Sequence, residues 1–212
     1  MFDEFENNLE AKSLLTASDN YHIQFKELLQ SIYECSNKMI LDKVKLIKNE
    51  NKIRDILVDY LVEGIKKYEF KKEEPNNLGR VDIYIVDTFT DTAPHFIIEC
   101  KLLDNKTMNG KDGLNGKYIQ NGIQRFLTEH YFLENNFKTN SMVAFIVSDI
   151  DIIENIKAIN KLTKKFFNNI IEITQEIILE DKNIYKSSYQ TGKPEKDFHI
   201  YHLMMDFSRN IT

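Results

Sequence analysis

The chain has 212 residues, 28 Lys and Arg against 33 Asp and Glu, and a formal charge of −5. That length suits one domain with extensions and a sizeable core, and seven Gly and three Pro argue against a loop-rich or fibrous protein. The acidic balance counts against non-specific coating of nucleic acid, though not against a local basic groove.

The acidic start "MFDEFENNLE" lacks the basic-then-apolar form of a signal peptide, and no apolar run is long enough to span a bilayer. Cys35 and Cys100 lie far apart and form no metal pattern, so a cytoplasmic location with reduced thiols and no membrane partner is expected. Residues 1–48 read as helical, with Phe25, Leu28, Leu29, Ile32, Tyr33, Met39, Ile40, Val44 and Ile47 near helical spacing. In "ENKIRDILVDYLVEGIKKY" the residues Ile53, Ile56, Leu57, Tyr60, Leu61 and Ile65 make one stripe, and Lys52, Arg54, Asp55, Asp59 and Lys66 fall outside it. Glu50, three residues before Ile53, opens the inward face of the same helix.

A short strand is expected near Tyr68–Lys72, followed by a turn at "EPNNLG". The stretch "GRVDIYIVDTFTDTAPHFIIECK", residues 79–101, reads as two buried strands. A loop, "NKTMNGKDGLNGK", leads to a helix, "YIQNGIQRFLTEHYFLE", with Ile119, Ile123, Phe126, Leu127 and His130 on one face. Tyr118, Gly122, Arg125 and Glu129 recur along a second face of that helix, where Gly122 permits a close approach. A short buried strand, "SMVAFIVS", a helix, "DIDIIENIKAINKLTKKFFNNI", and a hairpin around "TGKPEK" complete the chain. The order indicates an α/β fold with a mixed sheet and helices packed on it.

Three charges stand out in the quoted strands. Asp82 interrupts Val81, Ile83, Tyr84, Ile85 and Val86, while Glu99 and Lys101 interrupt Phe96, Ile97, Ile98, Cys100 and Leu102. Strand alternation places Ile97, Glu99 and Lys101 on one face and Phe96, Ile98, Cys100 and Leu102 on the other. Glu99 and Lys101 alone could be a solvated pair of little consequence. Asp82 changes that balance, because both faces of its strand are apolar and a hairpin would let it meet Glu99 and Lys101. A simple ion pair needs one acid, whereas a divalent cation uses the second. Mg²⁺ favours carboxylate and carbonyl oxygens, and an adjacent lysine can position a bound water and counter charge on a phosphate.

This arrangement of Asp82, a hairpin-sized gap and "ECK" (Glu99-Cys100-Lys101) resembles the PD-(D/E)XK phosphodiesterases, the restriction-endonuclease-like superfamily. Val81 stands where the family name has Pro. The resemblance covers roughly residues 49–150 and implies a restriction-endonuclease-like core, with a mixed central sheet flanked by helices. Residues 1–48 would form a helical N-terminal extension and 151–212 a C-terminal helix plus β-hairpin, all within a single domain. It implies Asp82, Glu99 and the Cys100 backbone carbonyl as metal ligands, Lys101 as the catalytic lysine, and Glu50 as a further acid from the first core helix. It also implies polar side chains from the following helix at the site, for which Gln120 and Arg125 are the candidates and Gln124 a further one. The implied activity is Mg²⁺- or Mn²⁺-dependent hydrolysis of phosphodiester bonds in nucleic acid, DNA being favoured because the family leans that way. A role in bacterial defence or genome maintenance would fit. Cutting a duplex would call for a homodimer or larger complex.

Other candidates carry less. His199 and His202 fall on opposite faces of a strand, His130 fits an apolar helix face, and the Cys100 thiol points into the core. Lys157, Lys161, Lys164 and Lys165 align on one helix side, as a solvated face or as a patch that tracks a phosphate backbone. The rival reading is a catalytically inactive binding or assembly module that keeps Asp82, Glu99 and Lys101 as a buried polar network. With Lys101 offsetting only one of two carboxylates, Asp82→Asn is expected to leave the metal-free fold as stable as before or more so.

Overall fold

A computed structural model describes residues 2–76, 79–88, 96–105, 112–128, 139–179 and 183–212, with the side chains of 2–19, 74–76, 79 and 195 left aside. His130, Glu129 and the end of the predicted "YIQNGIQRFLTEHYFLE" helix lie outside the described residues, as does the centre of the "EPNNLG" turn. Helix α1 (Phe2–Leu41) is followed by α2 (Glu50–Gly64) and strands β1 (Tyr68–Asn76), β2 (Gly79–Asp87) and β3 (Phe96–Leu103). Next come α3 (Leu114–Tyr118), a π turn (Ile119–Ile123), α4 (Gln124–Leu127), β4 (Thr139–Ile146) and α5 (Ile152–Phe166). Strands β5 (Glu172–Leu179), β6 (Ile184–Gln190) and β7 (Phe198–Asp206) complete the chain.

The strands form one seven-stranded mixed sheet in the order β1-β2-β3-β4-β7-β6-β5. β4 is parallel to β3 and to β7, and every other neighbouring pair is antiparallel. Parallel neighbours need a crossover, and the helical segment 114–127 between β3 and β4 supplies one. Strand alternation sends Ile83, Ile98, Val143 and Leu203 into a core shared with α1 and α2. The opposite face sends Ile97, Met142, Ala144 and Met204 into a second core under Tyr118, Ile119, Ile123, Ile156 and Ile159. Both faces of the sheet are therefore covered.

The N-terminal helix, expected from the sequence as a helical extension, packs into the first core. Its Tyr21, Phe25, Leu28, Leu29 and Ile32 are buried, and Phe25 stacks on Phe96 of β3 with ring centroids 5.1 Å apart. The Tyr21 hydroxyl donates to the Thr139 carbonyl of β4 at 2.7 Å. The helix also ends before Val44 and Ile47. Lys43 takes a positive φ of 52° and the Val44 N–H donates back to the Met39 carbonyl, a standard way to close a helix. Asn49 then caps α2, its side chain accepting from the Lys52 N–H at 3.1 Å.

The C-terminal half adds to the expected pattern. The hairpin around "TGKPEK" forms as expected, Tyr189 pairing with Phe198, but β7 sits inside the sheet between β4 and β6. The chain segment 172–179, which the sequence reading left unassigned, forms the edge strand β5. The helix over the second core starts at Leu114, so part of the expected loop is helical. His199 and His202 do lie on opposite faces. His199 Nδ1 contacts the Ser188 hydroxyl, and buried His202 meets the Tyr118 hydroxyl at 2.7 Å. Among the described residues no helix is long and apolar enough to cross a membrane.

Because α1 shares the first core, Phe25→Ala should behave as a core truncation. Urea denaturation is expected to show a loss of about 3–5 kcal/mol. A loss below about 1 kcal/mol would return α1 to the status of an accessory extension.

Candidate active site

The site begins where two strands part. The described β2–β3 ladder pairs Ile85 with Phe96, Tyr84 with Ile97 and Ile83 with Ile98, and stops before Asp82 and Glu99. β3 continues to Leu103 along β4 alone. The N–H groups of Cys100 and Leu102, on the side that β2 has left, therefore need acceptors, because a buried unpaired backbone donor is costly. Two carboxylates supply them. Asp82 Oδ2 accepts from Cys100 N at 2.8 Å and Glu50 Oε2 accepts from Leu102 N at 3.1 Å. Glu50 reaches this edge because it is the first residue of α2, just after the Asn49 cap.

Lys101 fills the space between the parted strands. Its Nζ donates to Glu99 Oε1 and to the Cys100 carbonyl, both at 2.6 Å, and to Glu50 Oε1 at 3.4 Å. Asp82 Oδ2 lies 3.7 Å from the same nitrogen. Oxygens from Glu50, Asp82, Glu99 and Cys100 thus converge on one ammonium. These are the four residues that the sequence resemblance implies as ligands, and Lys101 is the implied catalytic lysine.

The helix of the second core closes the other side. Arg125 Nη1 donates to both oxygens of Glu99, at 3.0 and 3.1 Å. Gly122 faces β4 here: a Cβ would stand 2.2 Å from the flexible end of the Met142 side chain, which would have to shift, and at ordinary contact distance, 3.9 Å, from Glu99 Cγ. The π turn Ile119–Ile123 lies in the same stretch, a distortion that recurs at functional sites. Gln120 is placed differently. Its Nε2 donates to the Gly116 carbonyl on its own helix at 3.3 Å.

Arg54 is a member of the site that the sequence reading placed outside the apolar stripe. Its side chain is 4% exposed, with Nη1 3.4 Å from Asp82 Oδ1, and Nη2 2.9 Å from Asp55 and 3.2 Å from Glu73. Glu73, at a positive φ of 52°, also pairs with Arg80 at 3.0 Å. The available signal was spacing. Arg54 stands four residues after Glu50 and so lies above it on the same side of α2.

Burial grades the site from closed to open. The Glu99 side chain is fully buried and Lys101 is 11% exposed, but Glu50 is 32% and Arg125 37% exposed, so solvent enters past those two. Burial drives the Glu99 carboxyl above its ordinary range and Asp82 adds to this, against Lys101 and Arg125. Lys101 and Arg125 donate to its oxygens, contacts that suit the carboxylate. For Lys101, burial favours the neutral amine, yet Glu99, Glu50 and Asp82 together outweigh it and hold the ammonium above the usual lysine value. The Cys100 thiol is pushed well up by complete burial and is inert, so only its backbone takes part.

The chemistry of this donor set is that of oxygen atoms alone, which suits Mg²⁺ or Mn²⁺ better than metals that seek sulfur or imidazole. Among the described residues no group of three or more His, Cys, Asp or Glu side chains is drawn together so as to hold a metal ion. The carboxylates are arranged around the Lys101 ammonium instead. Compared with protein-family models, curated proteins and solved structures, the chain matches none.

The geometry reverses one expectation from the sequence. Asp82 is not a repelled second carboxylate, because Arg54, Lys101 and the Cys100 N–H all face it. Asp82→Asn should therefore lower metal-free stability by about 1.5–3 kcal/mol, the scale of lost hydrogen bonds to charged groups. Urea denaturation in EDTA measures this, and an unchanged or raised midpoint would contradict it.

Proposed function

We propose that this chain is a divalent-metal-dependent phosphodiesterase acting on nucleic acid, a nuclease of the PD-(D/E)XK, restriction-endonuclease-like kind, with DNA the favoured substrate. One observation carries the reading: oxygens of Glu50, Asp82, Glu99 and the Cys100 carbonyl converge at an opened strand edge beside Lys101. The order α2, β1, β2, β3, α3–α4, β4 supports it, being the helix, three strands, helix and strand of that core. A basic face supports a polyanionic substrate. Lys157, Lys161, Lys164 and Lys165 are exposed on α5, which packs on the same sheet face as the Arg125 helix.

Asp82, Glu99 and the Cys100 carbonyl would hold the cation, with Glu50 beside them. When bound, it supplies Lewis-acid chemistry, acidifying a water and neutralising charge on the phosphate. Lys101 contributes as a donor and a positive charge. Its carboxylate neighbours keep it protonated at neutral pH, so it orients a water or a phosphate oxygen rather than acting as a base. Arg125, more than a third exposed at the open side, is placed to contact a phosphate oxygen. Arg54 is a positioning residue, fixing Asp82 from behind.

A second reading, a non-catalytic binding module on the same fold, draws on the fact that Lys101, Arg125 and Arg54 already pair the acids. Activity separates the two. Purified protein with Mg²⁺ or Mn²⁺ should cleave DNA or RNA, EDTA should stop it, and Lys101→Ala should slow cleavage by at least about a hundredfold with the fold retained. Cleavage that survives EDTA, or a Lys101→Ala protein as fast as wild type, would contradict the assignment.

A further inference from the structure

The polar centre balances its own charge before anything binds. Three carboxylates, Glu50, Asp82 and Glu99, face three cations, Lys101, Arg125 and Arg54. Asp55 and Glu73 also share Arg54, and Arg80 pairs with Glu73, so the outer groups add one net negative charge. A divalent cation that took Glu99 Oε1 and the Cys100 carbonyl would have to displace the Lys101 ammonium, which holds both at 2.6 Å. The displaced ammonium and the Arg125 guanidinium would then be left short of negative charge in a largely buried site, which is costly.

We propose that the divalent cation and an anionic phosphodiester bind this site cooperatively, because the cation releases Lys101 and Arg125 from Glu99 and the phosphodiester gives them a new anion. The proposal rests on the phosphodiesterase reading above and concerns how that site is controlled. Lys101 acts as a resident cation that holds the carboxylates together and keeps the site closed to metal until substrate arrives. Nη1 of the neighbouring Arg125 already contacts both oxygens of Glu99, and a phosphate presents the same kind of paired acceptor. Linkage requires the effect to be mutual: whatever factor the substrate adds to cation affinity, the cation adds to substrate affinity.

Calorimetric titration of Mg²⁺ tests this on the intact protein, alone and with a phosphorothioate-linked DNA oligonucleotide. A methylphosphonate-linked oligonucleotide of the same sequence is the uncharged control. The charged oligonucleotide should tighten Mg²⁺ binding by about tenfold or more, Mg²⁺ should tighten the oligonucleotide by the same factor, and the uncharged control should do neither. Lys101→Met should bind Mg²⁺ alone more tightly than wild type and lose most of the coupling. Arg125→Gln, at a more exposed position, should shift both quantities in the same direction if Lys101→Met fails to fold. Equal Mg²⁺ affinity with and without the charged oligonucleotide, or variants that bind Mg²⁺ no more tightly, would overturn the coupling while leaving the metal site standing. An absence of Mg²⁺ binding under every condition would overturn the phosphodiesterase reading itself.

Discussion

Three peptide units of β3, from Cys100 to Leu102, determine most of what is unusual here. β2 pairs with β3 as far as Ile83 and Ile98 and then leaves it, while β4 stays in register to Leu103. A strand edge opened inside a covered sheet leaves backbone donors and an acceptor that must be satisfied locally. Asp82 and Glu50 take the donors and the Lys101 ammonium takes the Cys100 carbonyl. The same three side chains are thereby fixed around one point, with fully buried Glu99 completing the set. Backbone satisfaction and preorganisation of the polar centre are one event.

The arrangement is not an economical way to stabilise a fold. Desolvating ions is costly, and buried ion pairs recover that cost only with close geometry and full hydrogen bonding. Burial indeed pushes Glu99 above its ordinary range even with two cations in contact. Apolar residues of similar size would satisfy the packing around Ile83, Ile97, Ile98 and Met142. Polar groups placed at such cost, where solvent reaches past Glu50 and Arg125, suit the site proposed above. The π turn and Gly122 lie where the Arg125 helix meets β4 and Glu99.

The inner part of this centre was legible because charge inside apolar strands is a strong local signal. Asp82, Glu99 and Lys101 are visible as interruptions, and Glu50 as an acid on the inward face of a helix with a clear stripe. Arg54 was not. It sits next to Ile53, just off that stripe, and its burial comes from Asp82 and Glu73 on strands that follow later in the chain. The role of α1 was hidden for a related reason: its apolar residues show a helix, but nothing local says that the helix packs on Phe96 and Thr139. β5 is an edge strand whose side chains are exposed or half-buried, so 172–179 lacks the alternation that marks a buried strand. The place of β7 beside β4 is a matter of topology, which hairpin signals do not encode.

The proposed reading stands on a cation held by the oxygens now gathered around Lys101. Anomalous diffraction from a crystal soaked with Mn²⁺ and a phosphorothioate oligonucleotide tests it most directly. The account predicts a Mn²⁺ peak bound by Asp82, Glu99 and the Cys100 carbonyl, with Lys101 Nζ moved off Glu99. Lys101 still seated on Glu99 and the Cys100 carbonyl, with Mn²⁺ absent or bound elsewhere, would contradict it.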